Sequence, residues 1–330
     1  MKEKRIWTKT LALTLALILA VCGFSGCTKE KEEAARISVV CAGFAEYDWV
    51  KNIAKDVEGV KVTYLGENGV DMHSYQPGAE DVAALKAANL IVYAGGASQE
   101  WLDEIAAERD AESGKISVNL LWVIGENALE EEIVEGMQAD EEEAGSLETD
   151  EHTWLSLGNA VISCKEINRA LDLLDADHAA EYDANCAAYV DELQALDMEF
   201  VDAMEGANKH TLVFGDRFPF RYMMEDYDLQ YFAAFPGCSA DSEASFETIV
   251  FLADKCDKLN LPAVIELENS TGSIAKAVAE NAKGSPKVLT MNSMQSVKKA
   301  DIEGGATYLS IMEGNLETVK EALDYQAPEL

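Results

Sequence analysis

Only four histidines occur among the 330 residues, and two of them stand where a side chain can be put to chemical use. His73 lies in Gly69-Val70-Asp71-Met72-His73-Ser74-Tyr75-Gln76-Pro77. A β-branched run from Val60 to Leu65 precedes this stretch and reads as a buried strand. Pro77-Gly78-Ala79-Glu80-Asp81 follows as a helix start, with proline near the first turn and acids at the positive end of the helix dipole. His73 is therefore expected in the loop at the carboxyl end of a strand, where open α/β sheets hold their ligands. His152, in Asp150-Glu151-His152-Thr153-Trp154-Leu155-Ser156-Leu157, is flanked by carboxylates just before a helix carrying Ile162, Ile167, Leu171 and Leu174. A single loop histidine reads as one bonded to nearby backbone. Two imidazoles on one rim outline half of a metal site.

Carboxylates that could complete such a site stand at strand ends in the second half of the chain. Asp216 lies in Phe214-Gly215-Asp216-Arg217-Phe218-Pro219-Phe220-Arg221-Tyr222, and the alternative for it is a salt bridge to Arg217 or Arg221. Glu266 and Glu268 end another strand and share one face, because side chains alternate along a strand. His178 and His210 read as structural or surface residues. Cys41, Cys164, Cys186, Cys238 and Cys256 are odd in number and lack C-x-x-C spacing. They read as small buried apolar residues, so neither a disulfide scaffold nor a cysteine-zinc site is expected.

The elements that must position these groups alternate strand with helix. Strands are expected at Ile37 to Gly43, Val60 to Leu65, Leu90 to Ala94 and Ile116 to Leu120. Amphipathic helices fall between them, and this is the pattern of a parallel sheet covered on both faces. The segment from Asp177 to Gly206 is one long helix whose apolar face carries Tyr182, Cys186, Tyr189, Val190, Leu193, Leu196 and Phe200. After it the βα alternation restarts, with strands at Thr211 to Phe214, Leu229 to Phe235, Ala263 to Leu267 and Lys287 to Met291. The fold class is thus α/β: two βα lobes with parallel sheets and a single long rigid helix joining them. The residue ranges are 37–176 for the first lobe, 177–207 for the linking helix and 208–330 for the second lobe. Residues 126–151, crowded with Glu and Asp and free of Lys and Arg, are expected as a solvated acidic loop.

A formal net charge of -35 argues against nucleic acid or an anionic membrane surface as partner and favours attraction of cations. At the N-terminus Lys2, Lys4, Arg5 and Lys9 precede an apolar run from Leu11 to Cys22, shorter than the ~20 residues of a spanning helix. The run ends in Phe24-Ser25-Gly26-Cys27, which resembles a bacterial lipobox. Residues 1–27 therefore read as a lipoprotein signal peptide with lipidation at Cys27, and residues 28–36 as a tether. The expected location is the extracytoplasmic face of the cell membrane, held by the lipid anchor.

Taken together these stretches resemble the zinc/manganese substrate-binding lipoproteins of bacterial ABC importers. The matching pieces are 69–77, Ala88 to Gly95, Glu151-His152-x-Trp154-Leu155, Asp241 to Ser245, Ala263 to Glu268 and Thr307-Tyr308-Leu309-x-x-Met312-x-x-Asn315-Leu316. The resemblance implies a monomeric carrier with a ligand cleft between its lobes, which takes up a divalent ion, Zn2+ or Mn2+, and delivers it to a membrane permease. His73 and His152 match the first two ligands of that family. Arg217 falls on the third position and has no lone pair for a metal, which makes Asp216 the nearest usable donor. Asn292 falls on the fourth, where Glu268 or Glu266 can substitute. Asp71 and Glu151 are expected to orient the imidazoles. Two other readings stand beside this one: a metal-dependent hydrolase using two histidines, a carboxylate and an activated water, and an adhesin-type lipoprotein with a degenerate metal site. Against the hydrolase, no H-E-x-x-H motif supplies a general base.

Overall fold

Two four-stranded parallel sheets organise the chain. The structure is a computed structural model and describes residues 35–109, 114–139, 148–239 and 243–327. Contacts divide the chain into Met1–Ala35 and Arg36–Leu330, and the architecture is that of the second unit. The signal segment and Cys27 lie outside the described residues.

In the first lobe β1 (Ile37–Cys41), β2 (Val60–Tyr64), β3 (Leu90–Tyr93) and β4 (Ile116–Asn119) lie in the order β2-β1-β3-β4. Register pairs Val39 with Val62 on one side and Leu90 on the other. Every residue of β3 is buried, as expected of a central parallel strand covered on both faces. The second lobe repeats the pattern with β5 (Thr211–Phe218), β6 (Gln230–Pro236), β7 (Ala263–Leu267) and β8 (Lys287–Met291) in the order β6-β5-β7-β8. In both lobes the strand order reverses beside the first strand, which opens a crevice at the carboxyl ends.

The helices that cover these sheets are α1 (Phe44–Ile53), α2 (Ala79–Ala87), α3 (Glu100–Arg109), α4 (Leu120–Ile124), α5 (Leu157–Leu174), α6 (Ala179–Glu205), α7 (Arg221–Asp226), α8 (Phe246–Leu259), α9 (Ser273–Asn281), α10 (Lys299–Glu303) and α11 (Tyr308–Ala322). The long α6 has 27 residues, about 40 Å at 1.5 Å per residue. Its buried face, from Tyr182 through Leu193 to Phe200, enters a core that also holds Val39 and Val92 of the first lobe and Phe214 and Ile265 of the second. Phe200 stacks on Tyr227 with ring centroids 5.0 Å apart. Ties across the cleft add to the rod. Trp154 donates its indole N–H to the Ser293 carbonyl at 2.9 Å, and Tyr64 donates its hydroxyl to the Val297 carbonyl at 3.1 Å. A rod packed into both lobes and bonded across them favours small movements over a wide hinge.

Three features differ from the sequence expectation. The helices α4, α7 and α10 have five or six residues each, too few turns for a periodic pattern to show. The strand β5 continues through Gly215, Asp216 and Arg217 to Phe218, with an irregularity in its pairing between Phe214 and Arg217. Asp216 therefore belongs to a bulged strand rather than to the loop leaving it. The acidic stretch, finally, is docked where it is described. Glu130 bridges Thr149 in antiparallel fashion, and the Asp150 N–H reaches the Leu129 carbonyl at 2.8 Å. On the second lobe, Gln138 donates its backbone N–H to the Ala234 carbonyl, Glu135 pairs with Lys255 at 2.8 Å, and Glu132 meets Arg221 at 3.5 Å. Its charges find partners on a distant part of the chain, which composition alone does not reveal.

Candidate metal centre

The two histidines are held by the same local device. Asp71 caps a single turn of helix, Met72–Ser74, and its Oδ1 accepts both the His73 backbone N–H at 3.0 Å and the His73 ring Nδ1 at 2.7 Å. Asp150 treats His152 alike: its Oδ1 accepts the backbone N–H at 2.8 Å and ring Nδ1 at 2.9 Å. In each D-x-H unit the carboxylate assigns the ring proton to Nδ1 and leaves the Nε2 lone pair available to a metal. Burial opposes the charge on Asp71, but the bond to His73 and then the nearby Arg217 outweigh it and hold its carboxyl well below the usual range. Burial likewise opposes a proton on His152. The carboxylates of Asp150, Glu151 and Glu131 overcome that and raise its pKa.

From positions far apart in the chain the rings arrive stacked, with centroids 5.3 Å apart and planes 24° from parallel. His152 is fully buried against the Trp154 ring. The His73 side chain keeps 14% exposure, so the pair has one wet edge. Glu151, which sequence reading made an orienting partner of His152, points to the other ring: its Oε1 is 3.2 Å from His73 Nε2. Ser98 holds that carboxylate through its backbone N–H at 3.2 Å and through its hydroxyl. Gly96 lets the chain pass, since a Cβ there would meet Glu151 Oε2 at 2.5 Å and the backbone φ is +83°. Orientation of His152 falls instead to Asp150, whose carbonyl is fixed by the Tyr222 hydroxyl at 2.7 Å.

The second lobe contributes a residue that sequence reading assigned to the core. Cys238 follows β6, is only partly buried, and places Sγ 3.1 Å from His73 Nε2. Among the described residues, His73, His152 and Cys238 form a group whose ligand atoms all lie within 4.8 Å of one another. The other four described cysteines are buried and free, as the sequence suggested. The available signal for Cys238 was positional: Pro236-Gly237-Cys238 leaves a strand end just as His73 does. Gln295 also reaches the rings, its Nε2 lying 3.0 Å from His152 Nε2 and 3.2 Å from His73 Nδ1.

The carboxylates expected to complete the ligand set, Asp216 and Glu268, lie outside that three-residue group. Asp216 accepts the Arg217 N–H at 2.9 Å with one oxygen and the Leu267 N–H at 3.2 Å with the other. The irregularity in β5 falls at this residue, and its carboxylate links the strand to the end of the neighbouring β7. Glu268 is tied to Ser293 through the backbone N–H at 2.8 Å and the hydroxyl at 2.7 Å. Burial raises its pKa against those bonds. Both residues line a depression whose only residue in common with the cavity beside His73 is Asp71. Asn292 caps the Met294 N–H at 2.8 Å. Arg217 reaches across to Asp71 Oδ2 at 3.1 Å, bracing the carboxylate that holds His73 rather than entering the ligand group.

Residues 39–322 match the family described as zinc-uptake complex component A, periplasmic (ZnuA). The chain belongs to this family. That description is of a component of a zinc-uptake complex and not of a hydrolase. The zinc-binding lipoprotein AdcA of Streptococcus pneumoniae is 28% identical over 324 residues, which is 97% of this chain and 62% of that relative. The high-affinity zinc uptake system protein ZnuA of Bacillus subtilis is 25% identical over 315 residues, 93% of this chain and 94% of the relative. The crystal structure of Zn(II)-bound AdcA from Streptococcus pneumoniae superposes with a TM-score of 0.70 at 24% identity, over 88% of this chain and 59% of that one. At that identity the superposition speaks to the fold: two α/β lobes and the long connecting helix.

Proposed function

We propose that this ZnuA-family chain is the extracytoplasmic, lipid-anchored solute-binding component of a metal importer. It captures a divalent cation, Zn2+ ahead of Mn2+, between its lobes as a monomer and hands it to an ABC-type permease. The observation that carries this reading is the stacked His73–His152 pair, both rings tied at Nδ1 to an aspartate and grouped with Cys238 so that their ligand atoms lie within 4.8 Å of one another. Family membership supports it, and the relatives reported above are named for zinc binding and zinc uptake. The lipid anchor rests on Phe24-Ser25-Gly26-Cys27, and the net charge of -35 suits a collector of cations. Equilibrium dialysis of the full chain against zinc and manganese tests the proposal. A single saturable ion per chain is expected, lost in the His73→Ala, His152→Ala double variant. Absence of stoichiometric binding, or binding unchanged in that variant, overturns it.

A further inference from the structure

We propose that Cys238 binds the captured ion as a thiolate, making this a His2Cys site that selects zinc over manganese through sulfur. The inference rests on the metal-capture reading and adds the identity of the second-lobe ligand and the class of cation it admits. Three observations carry it.

The first is geometric. Zn–N bonds of about 2.0 Å and a Zn–S bond of about 2.3 Å in a tetrahedron put ligand atoms about 3.3–3.5 Å apart. Cys238 Sγ already lies 3.1 Å from His73 Nε2, and the three ligand atoms are mutually within 4.8 Å.

The second is how the turn is built. A Cβ on Gly237 would lie 3.0 Å from His152 Cε1 and 2.9 Å from the Phe218 carbonyl. Glycine there lets the turn approach the buried ring. The Cys238 backbone N–H is fixed to Glu131 Oε1 at 3.0 Å, so the docked acidic stretch also positions the thiol.

The third is that the oxygen donors near the rings are engaged: Glu151 accepts from Ser98, and Gln295 Oε1 accepts from the Ser293 hydroxyl at 2.8 Å. Asp216 and Glu268 are held by backbone and serine donors, and Arg217 is occupied by Asp71. The thiol is the donor by which the second lobe can grip an ion held by two first-lobe imidazoles.

On binding, the S–H bond breaks, a metal–sulfur bond forms and the proton leaves to solvent, with no change of oxidation state. Thiolate and imidazole suit zinc in tetrahedral coordination. Manganese prefers oxygen ligands in octahedral coordination, which this donor set does not offer.

The test loads the reduced full chain with cobalt(II) and records its absorption. A near-ultraviolet thiolate-to-cobalt charge-transfer band, saturating with one ion, is expected in the unaltered chain and in Cys256→Ser, which alters a buried thiol elsewhere. In Cys238→Ser that band should vanish while visible ligand-field bands persist. Zinc affinity of that variant should fall at least about 100-fold, with manganese affinity within about threefold of the unaltered chain. Cobalt bound stoichiometrically without the charge-transfer band overturns the thiolate and leaves metal capture standing. So does unaltered zinc affinity in both Cys238→Ser and Cys238→Ala. No bound cobalt or zinc at all defeats the capture reading and this inference together.

Discussion

Both lobes carry acidic side chains beside the cleft, yet they use them in opposite ways. In the first lobe Asp71 and Asp150 each accept a backbone N–H and a ring N–H of the histidine two residues on, so one carboxylate fixes the orientation of one imidazole. In the second lobe Asp216 and Glu268 accept from backbone and serine donors and are used up in holding strand ends. Carboxylates in similar places become part of a metal site or part of the scaffold according to which donor lies nearest. A carboxylate already accepting two hydrogen bonds must lose them to bind an ion, and each is worth about 0.5–1.5 kcal/mol, more for a charged acceptor.

The contrast can be pressed hardest at two glutamates, one half-buried and one buried. Glu268 has both oxygens occupied by Ser293, whereas Glu46, in the wall of the cavity beside His73, has Oε1 without a hydrogen-bond partner. Burial pushes Glu46 up from 4.5 to about 7, against the pull of backbone N–H groups at Gly43 and Glu46. The folded chain then holds this proton more tightly than the unfolded one. Its contribution to stability is full below about pH 4.5 and is lost as pH rises through about 7. The difference of about 2.5 pH units, at about 1.4 kcal/mol each, is on the order of 3 kcal/mol. Thermal melts from pH 4.5 to 8 should show the Glu46→Gln variant losing less stability than the unaltered chain. Parallel curves would mean that burial does not make Glu46 hold its proton more tightly in the folded chain.

Next in size is the orienting role of the first-lobe aspartates. Asp150→Asn should weaken zinc about 10–100-fold, or about 1.4–2.8 kcal/mol, because the amide no longer fixes the Nδ1 proton with a charged acceptor. Asp71→Asn should act in the same direction. Competition with a chromophoric chelator measures both, and zinc affinity unmoved by either change would erase the distinction between the lobes. The smallest effect on binding is expected from Asp216→Asn. Zinc affinity should stay within about threefold while the melting temperature drops, since the change weakens bonds to the Arg217 and Leu267 N–H groups worth about 1–2 kcal/mol together. A collapse of zinc binding in that variant would return Asp216 to the ligand set.

Much of this molecule is legible along the chain because the forces involved are local. β-branched runs marked β2, β3 and β7, the 3.6-residue apolar face marked α6 to within two residues at each end, and strand-to-helix junctions pointed to both histidines. Even the D-x-H units are local, although Asp150 was passed over for its neighbour Glu151 because both flank His152 and only the folded turn chooses between them. The second half of the site was not readable in this way. Whether Asp216 faces the cleft depends on a pairing irregularity in β5, and in a strand one residue of register sends a side chain to the other face. Whether Cys238 is core or ligand depends on where β6 ends relative to a ring 86 positions earlier in the sequence. The acidic stretch found its partners on the other lobe for the same reason: a charge run shows its solvation cost in the sequence, but the cations and N–H groups that offset it come together only when the lobes pack. Sequence alone determined which residues could carry a metal from the first lobe. Tertiary structure decided what meets them, because a donor from the other lobe is brought there by the packing of the whole chain and not by its neighbours.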